Sequence, residues 1–587
     1  MLKIFKNLTM KEALLAGLSL VFIVIQVWLD LKLPDYMSEI TMLVQTEGSQ
    51  MSDIYAAGGM MLLCAFGSLI SAVAVAVLAS KIAANFGAIV RFKLFDKVLS
   101  FSMEEISGFS TSSLITRSTN DINQVQLLIV MGLQAIIKAP IIAVWAMVKI
   151  SGKSWQWSFA TGVAVVFLML TVGIAIFLAM PKFKSLQGLT DRLNGVTREN
   201  LTGLRVVRAY NAENFQEERF NTVNTELTNT HLFTSRVMSF MQPSIQLVMS
   251  GLTLAIYWIG AILINNAGFD MKLTLFSDMI VFSSYAMQIV MAFMMLIIIF
   301  ILVPRASVSV QRIQEVLETK PTIIDGEVTE APNAQKGTVE FKQVSFKYPD
   351  AEDYVIEDIS FTANQGETVA FIGSTGSGKS TLINLIPRLY EATSGEVLVD
   401  GINVKDYTQA ALHNRIGYVT QKARLFDGTI KSNIAYGDNG KDGFLESDIV
   451  EAVYTAQANE FVEKLEGGYD AKVTPGGTNL SGGQKQRVSI ARAIARQPEI
   501  FIFDDSFSAL DYQTDRQLRE SLRKDCADAT KLIVAQRIGT IKDADRIIVL
   551  DKGRMVGNGT HDELMKTSAE YQEIAYSQLS KEELANE

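Results

Sequence analysis

The sequence predicts two fold classes in one chain. An α-helical domain of six membrane spans with long helical extensions comes first, and an α/β domain built around a phosphate-binding loop follows. Three observations carry this. Six long apolar runs lie within the first 303 residues. From about Gly337 the pattern changes to short strands and helices, such as Thr338-Val339-Glu340-Phe341 and Glu396-Val397-Leu398-Val399. A glycine-rich loop, Gly373 to Ser380, sits between an apolar strand-like run and a helix-forming one. At 587 residues the chain exceeds one ordinary domain.

The spans are expected at Ala13–Leu33, Ile54–Ala84, Val125–Ile150, Trp155–Met180, Ser244–Ile264 and Phe276–Val303. Each is long enough to cross a hydrocarbon core of about 30 Å at ~1.5 Å per residue. Lys and Arg crowd three segments: the one before the first span, the one between the second and third, and the one between the fourth and fifth. The other three loops carry one cation each, Lys32, Lys153 and Lys272. The positive-inside bias places both termini and the two long loops in the cytoplasm. Met1 to Lys11 is basic and runs into a span of full length, which reads as an uncleaved anchor. The long loops keep helical periodicity and few turn breakers, so they are expected to extend the spanning helices by on the order of 30 Å. Their tips fall near 106–116 and 209–220.

Two features within the spans stand out. Lys138, in Ile136-Ile137-Lys138-Ala139-Pro140, is ionisable within an apolar run. That is either a functional site or a side chain snorkelling to the inner interface. On the sixth run Asp278, Phe282, Tyr285, Gln288, Ala292 and Met295 recur every three or four residues, with Met279, Met287, Met291 and Met294 nearby. This mixed face suits either a pathway for amphipathic cargo or plain helix packing.

Composition sets limits on function. Through residue 320 the net charge is +4 and the remainder carries −13, within an overall −9. The acidic balance leaves no basic stripe for a nucleic-acid partner. Two cysteines, Cys64 and Cys526, without a CxxC or Cys/His cluster, argue against a disulfide framework or a zinc site. Pro321 and Pro332 punctuate a linker over 316–336. The domains are expected at 1–315 and 337–575, with a tail at 576–587.

The run Gly373-Ser374-Thr375-Gly376-Ser377-Gly378-Lys379-Ser380-Thr381 follows Val369-Ala370-Phe371-Ile372. In this strand–loop–helix context, glycine N–H groups close around phosphate oxygens and a helix start adds positive potential. Lys379 would reach the β- and γ-phosphates and Ser380 would hold Mg2+. Further on, Ile500-Phe501-Ile502-Phe503 ends in Asp504, a carboxylate suited to the same Mg2+. Between them, Leu480-Ser481-Gly482-Gly483-Gln484 opens a strong helix, a second phosphate-seeking helix start. One nucleotide does not need two such cradles from one domain. A head-to-tail dimer answers this, with each nucleotide held between one domain's loop and the other's Ser-Gly-Gly-Gln.

The order of these motifs resembles the ATP-binding cassette (ABC) transporters, and six spans before one cassette resembles an exporter-type half-transporter. The resemblance covers essentially the whole chain. It implies that Tyr348, in Phe346-Lys347-Tyr348-Pro349, stacks on adenine. It implies that Gln421 contacts Mg2+ and the attacking water, that Ser481 to Gln484 form the signature, and that Asp511, in Ser508-Ala509-Leu510-Asp511, lies in the loop coupling the two sites. The cofactors implied are ATP and Mg2+, and the projecting tips match coupling helices.

Three positions depart from that pattern. Asp505 stands where the family places a glutamate that polarises water, and Gln536 where it places a histidine at the γ-phosphate. Pro475 stands where exporters commonly have a glutamate. The shorter Asp505 carboxylate is set back by ~1 Å, a displacement that can cost about a hundredfold in rate. A glutamine donates a hydrogen bond but cannot accept a proton as imidazole does. With the signature intact, the pattern resembles the degenerate-site subunit of bacterial heterodimeric multidrug exporters. The expectation is an ATP-driven plasma-membrane exporter of hydrophobic or amphipathic small molecules. This chain would hold ATP at a slow site, and a second half-transporter would supply the competent one. A homodimer of two slow sites and a non-hydrolysing regulatory subunit for lipid or peptide cargo are the alternatives. The absence of a protease domain before the first span disfavours a peptide exporter that matures its own cargo, and the six spans disfavour a non-transporting ABC protein.

Overall fold

The computed structural model describes residues 10–46, 48–330, 336–349, 351–438, 440 and 443–578. It divides into two compact units, Met1–Leu99 with Thr111–Thr319, and Ser100–Ser110 with Lys320–Glu587.

Among its described residues the first unit holds six helices long and apolar enough to cross a membrane. They are α1 (Met10–Gln45), α2 (Met51–Leu99), α4 (Thr111–Ser151), α5 (Trp155–Thr202), α7 (Glu213–Asn266) and α8 (Phe269–Glu318). Two short helices interrupt the series, α3 (Met103–Phe109) and α6 (Leu204–Ala209), overlapping the two expected tips. At 54 residues α7 is about 80 Å long, well beyond what a bilayer requires. Helix α1 packs along α2, α5 along α7, and α8 against α4. Two wide π turns, Arg117–Asp121 and Leu133–Lys138, interrupt α4. The second lies just before Pro140, whose missing N–H and ring disfavour a regular α turn there.

Ion pairs from α4 line this unit. Lys138 Nζ lies 3.3 Å from Asp30, which also accepts from Ser68, and Lys149 Nζ lies 2.7 Å from Asp35. Tyr285 donates to Asp35 Oδ1 at 2.6 Å, and Lys153 pairs with Asp278 beyond the end of α4. At the other end of α4, Arg117 pairs with Glu315 at 2.6 Å, and Asp121 takes Arg312 at 3.2 Å and the Ser309 hydroxyl at 2.9 Å. Lys138 is therefore a paired residue within the bundle, held by Asp30. On the mixed face of α8, three of the six residues are packed away. Phe282, Tyr285 and Ala292 are fully buried, and Phe282 packs at 5.4 Å on Trp157, whose indole N–H donates to Ile256 O at 3.1 Å. These residues are helix-packing groups, because they face neighbouring helices of the same chain.

The second unit is an α/β domain. Among the described residues twelve strands run in chain order, β1 (Val339–Phe346), β2 (Ile356–Ala363), β3 (Thr368–Gly373), β4 (Ser394–Val399), β5 (Ile402–Asn403), β6 (Ile416–Val419), β7 (Gly428–Thr429), β8 (Lys472–Val473), β9 (Ile500–Asp504), β10 (Thr530–Val534), β11 (Arg546–Asp551) and β12 (Arg554–Gly559). The central sheet has the order β12-β11-β3-β10-β9-β6, parallel from β11 to β6 with β12 antiparallel at the edge. An antiparallel sheet, β2-β1-β4-β5, packs on it through Phe341, Phe361 and Phe371. Strands β9 and β10 are buried at every position, so they read as unbroken apolar runs. The helices that matter for the site are α9 (Lys379–Asn384), α10 (Gly482–Ala495), α11 (Tyr512–Asp525), α12 (Ile538–Ile541), α13 (His561–Thr567) and α14 (Ala569–Gln578). The last reaches three residues into the tail expected from 576; residues 579–587 lie outside the described ones.

Candidate functional site: a nucleotide-binding centre

Parallel strands end their carboxyl edges together, and that edge is where open α/β sheets bind ligands. Here β3 runs into the loop 373–380, β6 leads to Gln421, β9 ends in Asp504 followed by Asp505, and β10 leads to Gln536. Four adjacent strands thus deliver every catalytic position named from the sequence to one edge.

The loop has the backbone its glycines imply. Gly373 has φ +154°, and a Cβ there would lie 2.0 Å from Leu550 O. Gly378 has φ +94°, and a Cβ at that position would meet Val355 O at 2.9 Å. The Lys379 ammonium folds across the loop, donating to Gly373 O and Ser374 O at 2.8 Å each and to Ser377 Oγ at 3.2 Å. Burial pulls its pKa down, while Asp505 and Asp504 pull the other way. Ser380 Oγ donates to Asp504 Oδ1 at 2.8 Å. Burial raises the Asp504 pKa against that hydrogen bond, and the neighbouring Asp505 charge adds to the rise.

The donors present fit Mg2+ and a triphosphate. One hydroxyl and one carboxylate side by side are hard oxygen donors, and Mg2+ takes its remaining ligands from water and phosphate oxygens. Among the described residues no group of three or more His, Cys, Asp or Glu forms a cage, which Mg2+ bound with a nucleotide does not need.

Asp505 is the centre of the departure. Its φ is +47°, and its N–H is held by Val534 O at 3.0 Å. Gln536 Nε2 donates to Asp505 Oδ2 at 3.1 Å, and Gln421 Nε2 approaches the same oxygen at 3.4 Å. Burial raises the Asp505 pKa; Gln421, Ser508, Arg537 and Lys379 oppose it. The carboxylate is therefore clasped by two amide donors, and neither amide can relay a proton.

Tyr348, expected from the sequence to stack on adenine, sits in an aromatic cluster. Its hydroxyl is 3.1 Å from Thr381 Oγ1, and its ring meets Phe346 and Tyr390 edge-on at 5.0 and 5.3 Å. A cavity of about 310 Å³ opens beside Tyr348 and Tyr390, lined also by Ser102 and Glu104 of the segment that folds with this unit. Sequence reading missed Tyr390, because its place depends on how the turns after α9 close. The Glu105 carboxylate accepts from Ser102 N at 2.7 Å and Thr322 N at 2.9 Å, and together these bonds hold its pKa down against burial.

The signature forms a separate helix start. Ser481 accepts from Gln484 N at 3.3 Å, and Gln484 Oε1 accepts from Ser481 N at 2.9 Å, a reciprocal cap on α10. A Cβ on Gly483 would stand 3.2 Å from Ala509 O, so small size lets α10 approach the loop before Asp511. Asp511 caps α11, accepting from Thr514 N at 3.0 Å and Thr514 Oγ1 at 2.7 Å, and those bonds lower its pKa. Gly482 opens α10, and Pro475 opens the tight turn Pro475–Gly477 ahead of the signature.

Comparisons with known proteins show the family and the fold. Residues 356–508 match the family model described as ABC transporter, and 16–313 match the ABC transporter transmembrane region. An uncharacterized ABC transporter ATP-binding protein of Mycobacterium tuberculosis is 38% identical over 521 residues, 89% of this chain and 87% of its own. An ATP-dependent lipid A-core flippase of Syntrophus aciditrophicus is 31% identical over 521 residues, covering 87% of this chain and 84% of its own. The solved structure of a bacterial Atm1-family ABC exporter with ATP bound superposes with a TM-score of 0.78 at 23% identity, covering 97% of this chain and 100% of the other, and so shares its fold. With six spanning-length helices before one nucleotide-binding domain, the chain belongs to the ABC transporter family and is an exporter-type half-transporter.

Proposed function

We propose that this chain is the ATP-holding half of a heterodimeric plasma-membrane exporter for amphipathic cargo, drug-like or lipid-like. The carrying observation is that Lys379, Ser380 and Asp504 stand in binding order while Asp505 is clasped by Gln536 and Gln421. Lys379 and the loop 373–381 would bind the phosphates, Tyr348 the base, and Ser380, Asp504 and Gln421 the Mg2+, which would screen phosphate charge when bound. Asp505 and Gln536 would hold water poorly, since the first falls short and the second cannot take up a proton. Ser481, Gly482, Gly483 and Gln484 would complete the partner's site, with Asp511 in the loop between the two. Segments 106–116 and 209–220 would carry cassette closure to the spans as a shift between two populated states, with both termini cytoplasmic. The lipid reading of the cargo leans on the flippase relative, whose printed name says what that protein moves.

The test is to purify the chain alone and with a second half-transporter. Weak turnover alone, and turnover with the partner that needs Ser481, are expected. Brisk ATP hydrolysis by the chain alone as a symmetric homodimer would overturn the heterodimer reading. The regulatory-subunit reading rests on the same clasped Asp505. Asp505→Glu with Gln536→His separates the two, since recovered turnover at this site would show that these two groups alone limit it.

A further inference from the structure

The loop carrying Gln536 is held from the far end of the chain. Gln578, at the end of α14, uses both ends of its carboxamide: Oε1 accepts from Ile538 N at 2.9 Å, and Nε2 donates to Gln536 O at 2.7 Å. The two bonds straddle Arg537. They also answer a local deficit, since Arg537 caps α12 without a side-chain bond to its free N–H groups. Gln578 thus serves as a remote cap supplied by another helix. Gln578 is the exposed last residue of α14, and Ala575 and Tyr571, one and two turns back on the same face, seat the helix. Tyr571 and Ala575 are fully buried, the Tyr571 hydroxyl lies 2.7 Å from His561 Nδ1, and Gln572 donates to Met565 O at 2.8 Å.

The geometry points to Gln578 as a positioning residue for the γ-phosphate end of the site. By fixing the peptides on either side of Arg537, it sets where the Gln536 side chain stands relative to Asp505, 3.1 Å away. The C-terminal helix thereby becomes part of the nucleotide site. This rests on the reading that Gln536 faces the terminal phosphate. ADP lacks that phosphate, so the clamp should matter for ATP and not for ADP.

The experiment measures equilibrium binding of Mg-ATP and Mg-ADP to the full chain in lipid nanodiscs, for Gln578→Met, Gln536→Ala and the double variant. Methionine keeps the length and removes both bonds. Gln578→Met should lower the ATP-over-ADP preference about three- to tenfold, the range for one or two neutral hydrogen bonds, with ADP binding unchanged. The loss should vanish in the Gln536→Ala background. Amide hydrogen exchange over 536–541 should speed up in Gln578→Met, which reads the clamp directly. Gln578→Glu keeps the acceptor for Ile538 N but sets a carboxylate against Gln536 O, and should behave like Gln578→Met. Equal losses for ATP and ADP, unchanged exchange, or an effect that adds to that of Gln536→Ala would each overturn the inference. If Gln536→Ala lowers the preference and Gln578→Met does not, the clamp fails and the sensing reading stands. If Gln536→Ala leaves the preference intact, the sensing reading falls and the positioning role falls with it.

Discussion

The charges on and just beyond α4 are matched acid to base, whereas those of the nucleotide site are crowded acid on acid. Lys138 and Lys149 meet Asp30 and Asp35, Lys153 just past the helix meets Asp278, and Arg117 meets Glu315. At the cassette edge Asp504 and Asp505 are neighbours; Lys379 beside them spends its hydrogen bonds on the loop, and Arg537 and Lys379 offset the burial of Asp505 only in part. A buried charge without a partner is costly, so matched pairs are what a low-dielectric bundle requires to hold its helices. An unmatched set is tolerable only where a ligand brings the counter-charge. Mg2+ and phosphates would do so here. The contrast separates charges that hold structure from charges kept for binding.

Lys379→Ala should have the largest effect. Losing a charged donor to two phosphates should weaken ATP binding by about a hundredfold, or ~3 kcal/mol, measured by equilibrium binding to the full chain. Thermal stability without nucleotide should change little. A large drop in the unfolding midpoint would mean that this charge is structural after all. Next, Asp505→Glu with Gln536→His should raise ATP turnover at least about tenfold, measured by phosphate release, because it restores reach and a proton acceptor.

In the membrane unit the matched pairing predicts a different signature. Lys138→Met should cost about 2 kcal/mol of stability, below the ~3–5 kcal/mol for a fully buried pair because both side chains are partly accessible. Lys138→Met with Asp30→Asn should recover most of it, read from unfolding midpoints in nanodiscs. No recovery would mean that the pair does not hold these helices. The smallest expected effect lies on the cassette. Asp400 is buried beside Glu499 and Arg415, and burial with the Glu499 charge pushes its pKa up to about 6. The folded chain then holds this proton more tightly than the unfolded chain. Stability from this group is greatest in acid and falls as pH rises from the ordinary carboxylate range through about 6. Asp400→Asn should remove that slope and add about 1 kcal/mol at pH 7, after allowance for the lost Arg415 attraction. A loss at pH 7 would show that Arg415 outweighs the penalty.

The binding elements were legible because each is local. A loop between one strand and one helix, a carboxylate ending an apolar strand and a Ser-Gly-Gly-Gln helix start are all contiguous in sequence. The six spans were legible because bilayer thickness fixes a length that no soluble core demands. What escaped depends on distant partners. Lys138 looked solitary because Asp30 lies more than a hundred residues away. The α8 face was left open between a pathway and packing because periodicity marks which residues share a side and says nothing of what that side meets. Tyr390 and Gln578 were missed for the same reason, although the Tyr571, Ala575, Gln578 spacing does mark one face of a helix.

The wide turn Leu133–Lys138 has a consequence for everything that follows it in α4. One surplus residue in a helical turn advances the downstream azimuth by about 100° relative to an uninterrupted α-helix. The direction in which Lys149 projects is therefore fixed some sixteen ångströms earlier, by a slip in winding ahead of Pro140. Deleting a single residue between 133 and 138 would leave the composition of the rod almost untouched, yet rotate its second half away from Asp35.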